Sequence, residues 1–534
     1  MPSLRLATGG PSAPLSGLSP LLERLRAHGA RTTCAIDAAD TTAGPDAHTT
    51  TPLDYARLLQ RAATVAAGLR TAGVAPSGAP VAFLLPPGAG YVEVLLGVLA
   101  AGGVAVPLSP LHTAPELSFI LGNADPALVI ASPELAGRAA LAAPGRRLIE
   151  APSLGRGLAS TPAAAGLDDG HVAAGAPAIM LYTSGTTGRP KGVLLSHAAV
   201  AATLESLASA WRWRADDRLL HVLPLHHTHG LIVALLGALW SGAAITFAPF
   251  EAEQIWDRLA AATRFMAVPT MYAKLIEAYR AAPPERRAAW AAGARHLRLC
   301  TSGSAALPAP LLRAFDEATG QTILERYGMT EIGMALSNRY DGPRVAGAVG
   351  VPLPGVTVDI VGDDERPVAD GEPGELRVRT PQMFARYHGD PAATLASYDA
   401  AGRFRTGDTG LRDPADGVIR LLGRTSVDVL KSGGYKISAL EIEAALRDHP
   451  AIADLAVVGL PDPTLTWGDL VTACVVPRAG ATLTLEELKA FARDRLAVYK
   501  IPRALRILDA LPRNAMGKIQ KKQLVEALGD AGRR

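Results

Sequence analysis

Cysteine is scarce: Cys34, Cys300 and Cys474 are the only three in 534 residues. They stand far apart, which excludes a disulfide framework or a CxxC metal knuckle and points to a reducing compartment. Charge is sparse too, at 19% of residues against about 25% in average proteins, while 49% are hydrophobic. That balance excludes a disordered chain. A basic excess is missing: 53 Lys and Arg face 50 Asp and Glu, for a net charge of +3 and no basic cluster. A nucleic-acid binder relying on phosphate contacts is therefore not expected. The N-terminus carries no apolar core of signal-peptide type. No acidic residue precedes Glu23, so a mitochondrial transit peptide stands as the alternative to the expected cytoplasmic location. Two long apolar stretches, 230–250 and 92–111, are broken by Ser241-Gly242 and by Gly102-Gly103. Each reads as a buried helix–strand unit and not as a membrane span.

What is present is alternation. Residues 1–50 are rich in Gly, Pro, Ser, Thr and Ala, around one helix at 18–28. From Leu53 onward helices and short strands follow one another: helix 55–72, strand 81–85, helix 91–101, strands 104–107 and 128–131. That order predicts α/β layers with largely parallel sheets. From 352 to 422 short strands and turn residues predict a β-rich subdomain. A compact segment from 428 to 534 reads as a separate small α+β domain. The expected fold is thus mixed α/β: a large N-terminal domain (51–423) of α/β layers with its β-rich subdomain, a hinge at 424–427, and a small mobile C-terminal domain.

The chemistry concentrates in Thr183-Ser184-Gly185-Thr186-Thr187-Gly188-Arg189-Pro190-Lys191-Gly192, which follows the apolar strand 178–182. Glycines and small hydroxyl residues let backbone N–H groups approach an anion, and Lys191 adds positive charge. Nothing after Gly188 reads GK[ST], so this is not a Walker A loop. Further along stand Tyr327-Gly328-Met329-Thr330-Glu331, Thr406-Gly407-Asp408 and Gly423-Arg424. After them come Lys431-Ser432-Gly433-Gly434-Tyr435-Lys436 and Pro512-Arg513-Asn514-Ala515-Met516-Gly517-Lys518.

In this order the motifs resemble the adenylate-forming superfamily of acyl-CoA synthetases, luciferases and peptide-synthetase adenylation domains. The resemblance covers the chain from about Leu53 onward. It implies ATP and CoA as co-substrates, Mg²⁺ as cofactor, and AMP and pyrophosphate as products. It further implies that Thr183, Ser184, Gly185, Thr186, Thr187, Gly188, Arg189, Pro190 and Lys191 cradle the β- and γ-phosphates. Glu331 would hold Mg²⁺, an ion that prefers oxygen ligands. Thr330 would donate to the α-phosphate and Tyr327 would pack on adenine. Asp408 would accept from the ribose hydroxyls, and Arg424 would bind ribose or phosphate with its planar fork. Lys518 would contact the α-phosphate and the substrate carboxylate during adenylation. A swing of the small domain about Ser426, where many relatives have Asp or Lys, would then open the thiol reaction, with Gly433 and Gly434 bordering the CoA channel. Lys521 and Lys522 lie outside these motifs and are expected to be solvated charges.

Three histidines crowd Leu223-Pro224-Leu225-His226-His227-Thr228-His229-Gly230. Packing and gating are expected of them in preference to metal binding, and His227 is counted among the catalytic residues. This segment, together with VPTMYAKL, SGSAALP and RYGMTEIGMALSNRYDGPRVAGAVG, closely resembles malonyl-CoA synthetases, including the mitochondrial type. A second carboxylate needs a buried cation, and the resemblance implies Lys274 for it, with Arg298 and Arg344 as the next candidates. Ser304, Thr228 and Met334 would complete the acid pocket. The implied partners are small molecules (malonate, ATP, CoA) with no membrane span, in a monomer or weak homo-oligomer. The chain shows no carrier or condensation module, which favours a stand-alone enzyme. A ligase for another short or medium acid, or an enzyme loading a carrier protein, stands as the alternative.

Overall fold

The computed structural model describes residues 19–29, 34–36, 52–74, 78–151, 167, 172–183, 190–424, 428–432, 435–461, 469–513 and 519–531. Two large sheets form its main body. One runs Leu148–Glu150, Leu128–Ala131, Pro80–Leu84, Val104–Pro107 and Pro177–Thr183, all parallel, then the antiparallel strands Lys191–Ser196 and Arg386–Tyr387. The other has a parallel centre of Leu324–Met329, Leu299–Ser302, Arg264–Ala267, Arg218–His221 and Ala244–Phe247. Gly333–Ser337 adds to it antiparallel, beyond Leu324–Met329.

Local sequence explains the layers. The helix Tyr55–Thr71 is capped by Asp54, whose Oδ1 accepts from the backbone N–H of Arg57 at 2.7 Å. It buries Leu58, Leu59, Ala62, Ala66 and Leu69, the spacing of one helix face. That face packs on the helix Ala89–Ala100, which is buried almost throughout. The apolar run is therefore core from 92 to 109, as expected, while Leu111 at its end is exposed. The run 230–250 is core as well, but its first part differs from the ordinary helix expected. Residues His229–Leu236 form a π-helix, continued by the short helix Gly237–Ser241 and the strand Ala244–Phe247. The chain enters that π-helix against Pro224: a Cβ on Gly230 would lie 2.1 Å from the Pro224 carbonyl oxygen. Wide π turns are frequent at functional sites. Among the described residues no helix is long and apolar enough to cross a membrane.

A four-stranded antiparallel sheet follows, Thr357–Val361, Gly374–Arg379, Phe404–Arg412 and Ile419–Arg424. The C-terminal part holds the hairpin Val429–Ser432/Tyr435–Ser438 and the sheet Ile452–Pro461, Asp469–Pro477, Ala504–Ile507. The helices Ala439–Leu446, Leu485–Arg493 and Lys521–Ala531 accompany these strands. Leu430, Ile437, Ile442, Val457, Val471 and Leu488 make a core of their own there.

Candidate active site

In open parallel sheets, ligands bind beyond the carboxyl ends of the strands. The second large sheet puts its motifs there. Arg218–His221 leads into His226–His229, and Leu299–Ser302 into Gly303-Ser304. The strand Leu324–Met329 carries Arg326 and Tyr327 and ends in Thr330-Glu331. Thr330 follows a strand and precedes a tight return to Gly333–Ser337, so it caps no helix.

The described residues that the resemblance assigns to the nucleotide come together from three sheets. Thr183 pairs with Lys191 across the hairpin of the first sheet, so the phosphate loop leaves and re-enters at one place. Pro190 is described with them; Ser184, Gly185, Thr186, Thr187, Gly188 and Arg189 lie outside the described residues, as do Ser426, Gly433, Gly434 and Lys518. The Lys191 ammonium sits 4.8 Å from the centre of the Tyr387 ring. The Tyr387 hydroxyl donates to Glu331 Oε1 at 2.9 Å. Burial pushes the Glu331 carboxyl above its ordinary pKa, and the Tyr387 hydrogen bond, Arg424 and Lys191 act against that rise. A buried carboxylate facing cations suits a divalent ion shared with phosphate oxygens and water, the way Mg²⁺ is usually held. On the third sheet, Asp408 lies opposite Arg424, whose Nε is 3.0 Å from Asp408 Oδ1. The Tyr327 hydroxyl donates to Asp408 Oδ2 at 2.6 Å.

Thr228, which the resemblance assigns to the acid pocket, places its Oγ1 2.9 Å from Thr330 Oγ1. The His226 and His227 rings meet tilted at 47°, their centres 3.9 Å apart, and His112 meets His226 edge-on at 5.0 Å. Burial, then neighbouring histidines, pushes His226 down to about 2 and His227 down to about 4, so both are neutral at pH 7. Met334 is buried, and its backbone N–H donates to Gln382 at 2.9 Å. Ser304 is exposed and left-handed, at φ 68°. Such a φ is uncommon outside glycine and marks strained positions.

Three expectations are corrected here. Lys274 is exposed, not buried. Its helix Pro269–Ala281 buries Tyr272, Leu275 and Ile276, and at 100° per residue Lys274 falls outside that stripe. Arg298 pairs with Asp217 at the amino-terminal end of its strand, opposite the site. Arg344 donates to the Thr322 and Tyr340 carbonyls.

The buried cation that the structure does offer is Arg326, only 4% exposed. Its Nε and Nη2 have no hydrogen-bond partner. Its guanidinium lies against Gly303, where a Cβ would come within 2.5 Å of Cζ. Burial alone pushes it down to about 10, so it stays charged at neutral pH. Both ring nitrogens of buried His229 are unpartnered as well. Burial, followed by the charge of Arg326, holds that imidazole well below its ordinary pKa. Unsatisfied buried polar groups cost about 1–3 kcal/mol each, more when charged, and a cluster of them marks a place that a ligand completes. The sequence did carry a signal for Arg326, since it stands in a strand directly before the Tyr327–Glu331 motif. Tyr387 gave no such signal.

Comparison with known proteins gives the family. The AMP-binding enzyme family matches residues 27–388, and its C-terminal domain matches 441–518. The mitochondrial malonate–CoA ligase ACSF3 of Mus musculus is 41% identical over 486 residues, 85% of this chain and 82% of that protein. ATP-bound MatB from Rhodopseudomonas palustris superposes with a TM-score of 0.84 at 34% identity, covering 96% of this chain and 100% of that one. A malonyl-CoA ligase in a ternary product complex with methylmalonyl-CoA and AMP gives 0.63 at 38% identity, covering 93% and 100%.

Proposed function

The chain belongs to the AMP-binding enzyme family and is an AMP-forming acid–thiol ligase, and on that premise we propose that its acid is malonate. The observation that carries this reading is Arg326: a buried, unpaired guanidinium beside Gly303, where the second carboxylate of a small diacid supplies the missing partner. A monocarboxylate leaves that charge desolvated and alone. His229, neutral and unpartnered, offers an N–H to the same carboxylate.

The reaction proceeds in two steps. The reacting carboxylate of malonate attacks the α-phosphorus of ATP and pyrophosphate leaves. The CoA thiol then attacks the carbonyl of the malonyl-adenylate, the thiol proton is lost, and AMP leaves. Bringing two anions together makes charge neutralisation and positioning the main demands. The loop from Thr183 to Lys191 receives the terminal phosphates. Asp408, held by Tyr327 and Arg424, accepts from the ribose hydroxyls. Thr330, tied to Thr228, donates to the α-phosphate beside the acid. Mg²⁺, when bound by Glu331, neutralises phosphate charge. Lys518 serves the first step, and the small domain, turning about Ser426, brings Gly433-Gly434 to the CoA channel for the second. His227 gates the passage as a neutral ring. The drop in TM-score from the ATP-bound relative to the product complex, despite higher identity in the latter, supports a domain swing between steps. Methylmalonate is a tolerated second substrate.

The test is product analysis with malonate, ATP, Mg²⁺ and CoA. AMP, pyrophosphate and malonyl-CoA in equal amounts are expected. ADP as the stoichiometric product, or no thioester from malonate, would overturn the reading.

A further inference from the structure

Lys521, expected to be a solvated charge, is 8% exposed. It opens the helix Lys521–Ala531 and joins two carboxylates: its Nζ is 2.6 Å from Asp428 Oδ1 and 2.6 Å from Glu443 Oε1. Glu443 Oε1 also accepts from the backbone N–H of Val457 at 2.7 Å. Asp428 reaches the other way. Its Oδ2 accepts from the backbone N–H of Arg424 at 3.0 Å, and its own N–H donates to the Arg424 carbonyl at 2.8 Å. Arg424 in turn donates through Nη1 to the Thr406 carbonyl at 2.7 Å and holds Asp408 through Nε. A continuous polar chain therefore runs from the C-terminal helix to the carboxylate that Tyr327 also grips.

We propose that Lys521 is a positioning residue for ATP: through Asp428 it fixes Arg424, and through Arg424 the orientation of Asp408. The inference rests on the reading of Asp408 and Arg424 as ribose-holding residues. Asp428 and Glu443 share one ammonium, and without it two neighbouring carboxylates, the buried Glu443 and the half-buried Asp428, repel each other. Asp428 then turns away, and the Arg424 N–H loses its acceptor.

The experiment compares Lys521→Met, Lys521→Arg and Arg424→Ala in the full chain. It reads KM for ATP and for malonate separately, with a thermal unfolding scan for each variant. Lys521→Met is expected to raise KM for ATP about tenfold, the loss of one charge-assisted hydrogen bond, and to leave KM for malonate within about twofold. Lys521→Arg restores most of the ATP affinity. Arg424→Ala raises KM for ATP, and adding Lys521→Met to it brings little further loss, because both act through one chain. A folded Lys521→Met enzyme with unchanged KM for ATP and only a lower active fraction would make the triad a structural brace and overturn the proposal. Arg424→Ala with unchanged KM for ATP would overturn the ribose reading, and the proposal with it. If Lys521→Met does not fold, Asp428→Ala takes its place, breaking the same chain at its middle link while Lys521 keeps Glu443, and a normal KM for ATP in that variant is equally fatal.

Discussion

Replacing Arg326 with Met tests the acid pocket where the structure is most explicit. The side chain is buried and its Nε and Nη2 are unpartnered, so the free enzyme carries an uncompensated charge. Methionine fills similar space without one. Removing one partner of a buried charged pair costs about 3–5 kcal/mol, and each 1.4 kcal/mol is about tenfold. The kcat/KM for malonate should therefore fall by about a hundredfold to a few thousandfold. Activity on propionate or butyrate should hold or rise, since those acids no longer strand a cation. A second signature comes from stability. Without ligand the variant should unfold at the same temperature as the parent or higher, because burying an unpaired guanidinium is unfavourable. Malonate at a hundred times its Kd should stabilise the parent by about 2.7 kcal/mol and the variant not at all. Lys274→Met, on an exposed helix face, should cost only a few-fold, the scale of a surface charge. If Arg326→Met keeps its preference for diacids, or Lys274→Met suffers the larger loss, the reasoning from burial is wrong.

Other expectations follow from the same geometry. Lys518→Ala should abolish adenylation while sparing thioester formation from supplied malonyl-adenylate, and half-reaction kinetics showing equal losses would argue against domain alternation. Asp408→Asn should raise KM for ATP with little effect on KM for malonate, measured by steady-state titration of each substrate. Methylmalonate should react within about 1–3 kcal/mol of malonate, the usual discrimination for one methyl-sized group, with Met334 as the adaptable neighbour; a competition assay reads the ratio directly. Acid should destabilise the fold, because burial holds His197 and His221 each down to about 4. Unfolded imidazoles near 6.5 take up protons that these two refuse. Their contribution is complete above about 6.5 and is lost as pH falls toward 4, at about 1.4 kcal/mol per pH unit for each. Denaturant titrations from pH 7 to 5 should show at least that slope, since buried His226, His227 and His229 add to it in the same direction, and His197→Asn should flatten it by one proton.

Much of this molecule is legible in its sequence because the signals are local. Val104–Pro107 and Leu128–Ala131 are short apolar runs between turn residues, and the strands match them to the residue. The phosphate loop, Glu331, Asp408 and Arg424 stand in motifs dense enough to survive without a fold. What escaped depends on tertiary placement. Lys274 and Arg326 are both cations near apolar residues, but the outer face of a helix exposes the first and an interior strand buries the second. Lys521 looks like half of a solvated pair with Lys522 until Asp428 and Glu443, distant in sequence, close on it. The π-helix at His229–Leu236 is invisible to a hydrophobic pattern, since a wide turn and an ordinary one bury the same residues when the whole segment is core.

The most direct test of the account is a side-by-side determination of kcat/KM for malonate, methylmalonate, acetate, propionate, butyrate and a long-chain acid. Each reaction contains ATP, Mg²⁺ and CoA, and thioester and AMP are both quantified. The account predicts malonate first, methylmalonate second, and every monocarboxylate about a hundredfold or more behind, the penalty for an unpaired buried charge. A monocarboxylate that equals or exceeds malonate would contradict it.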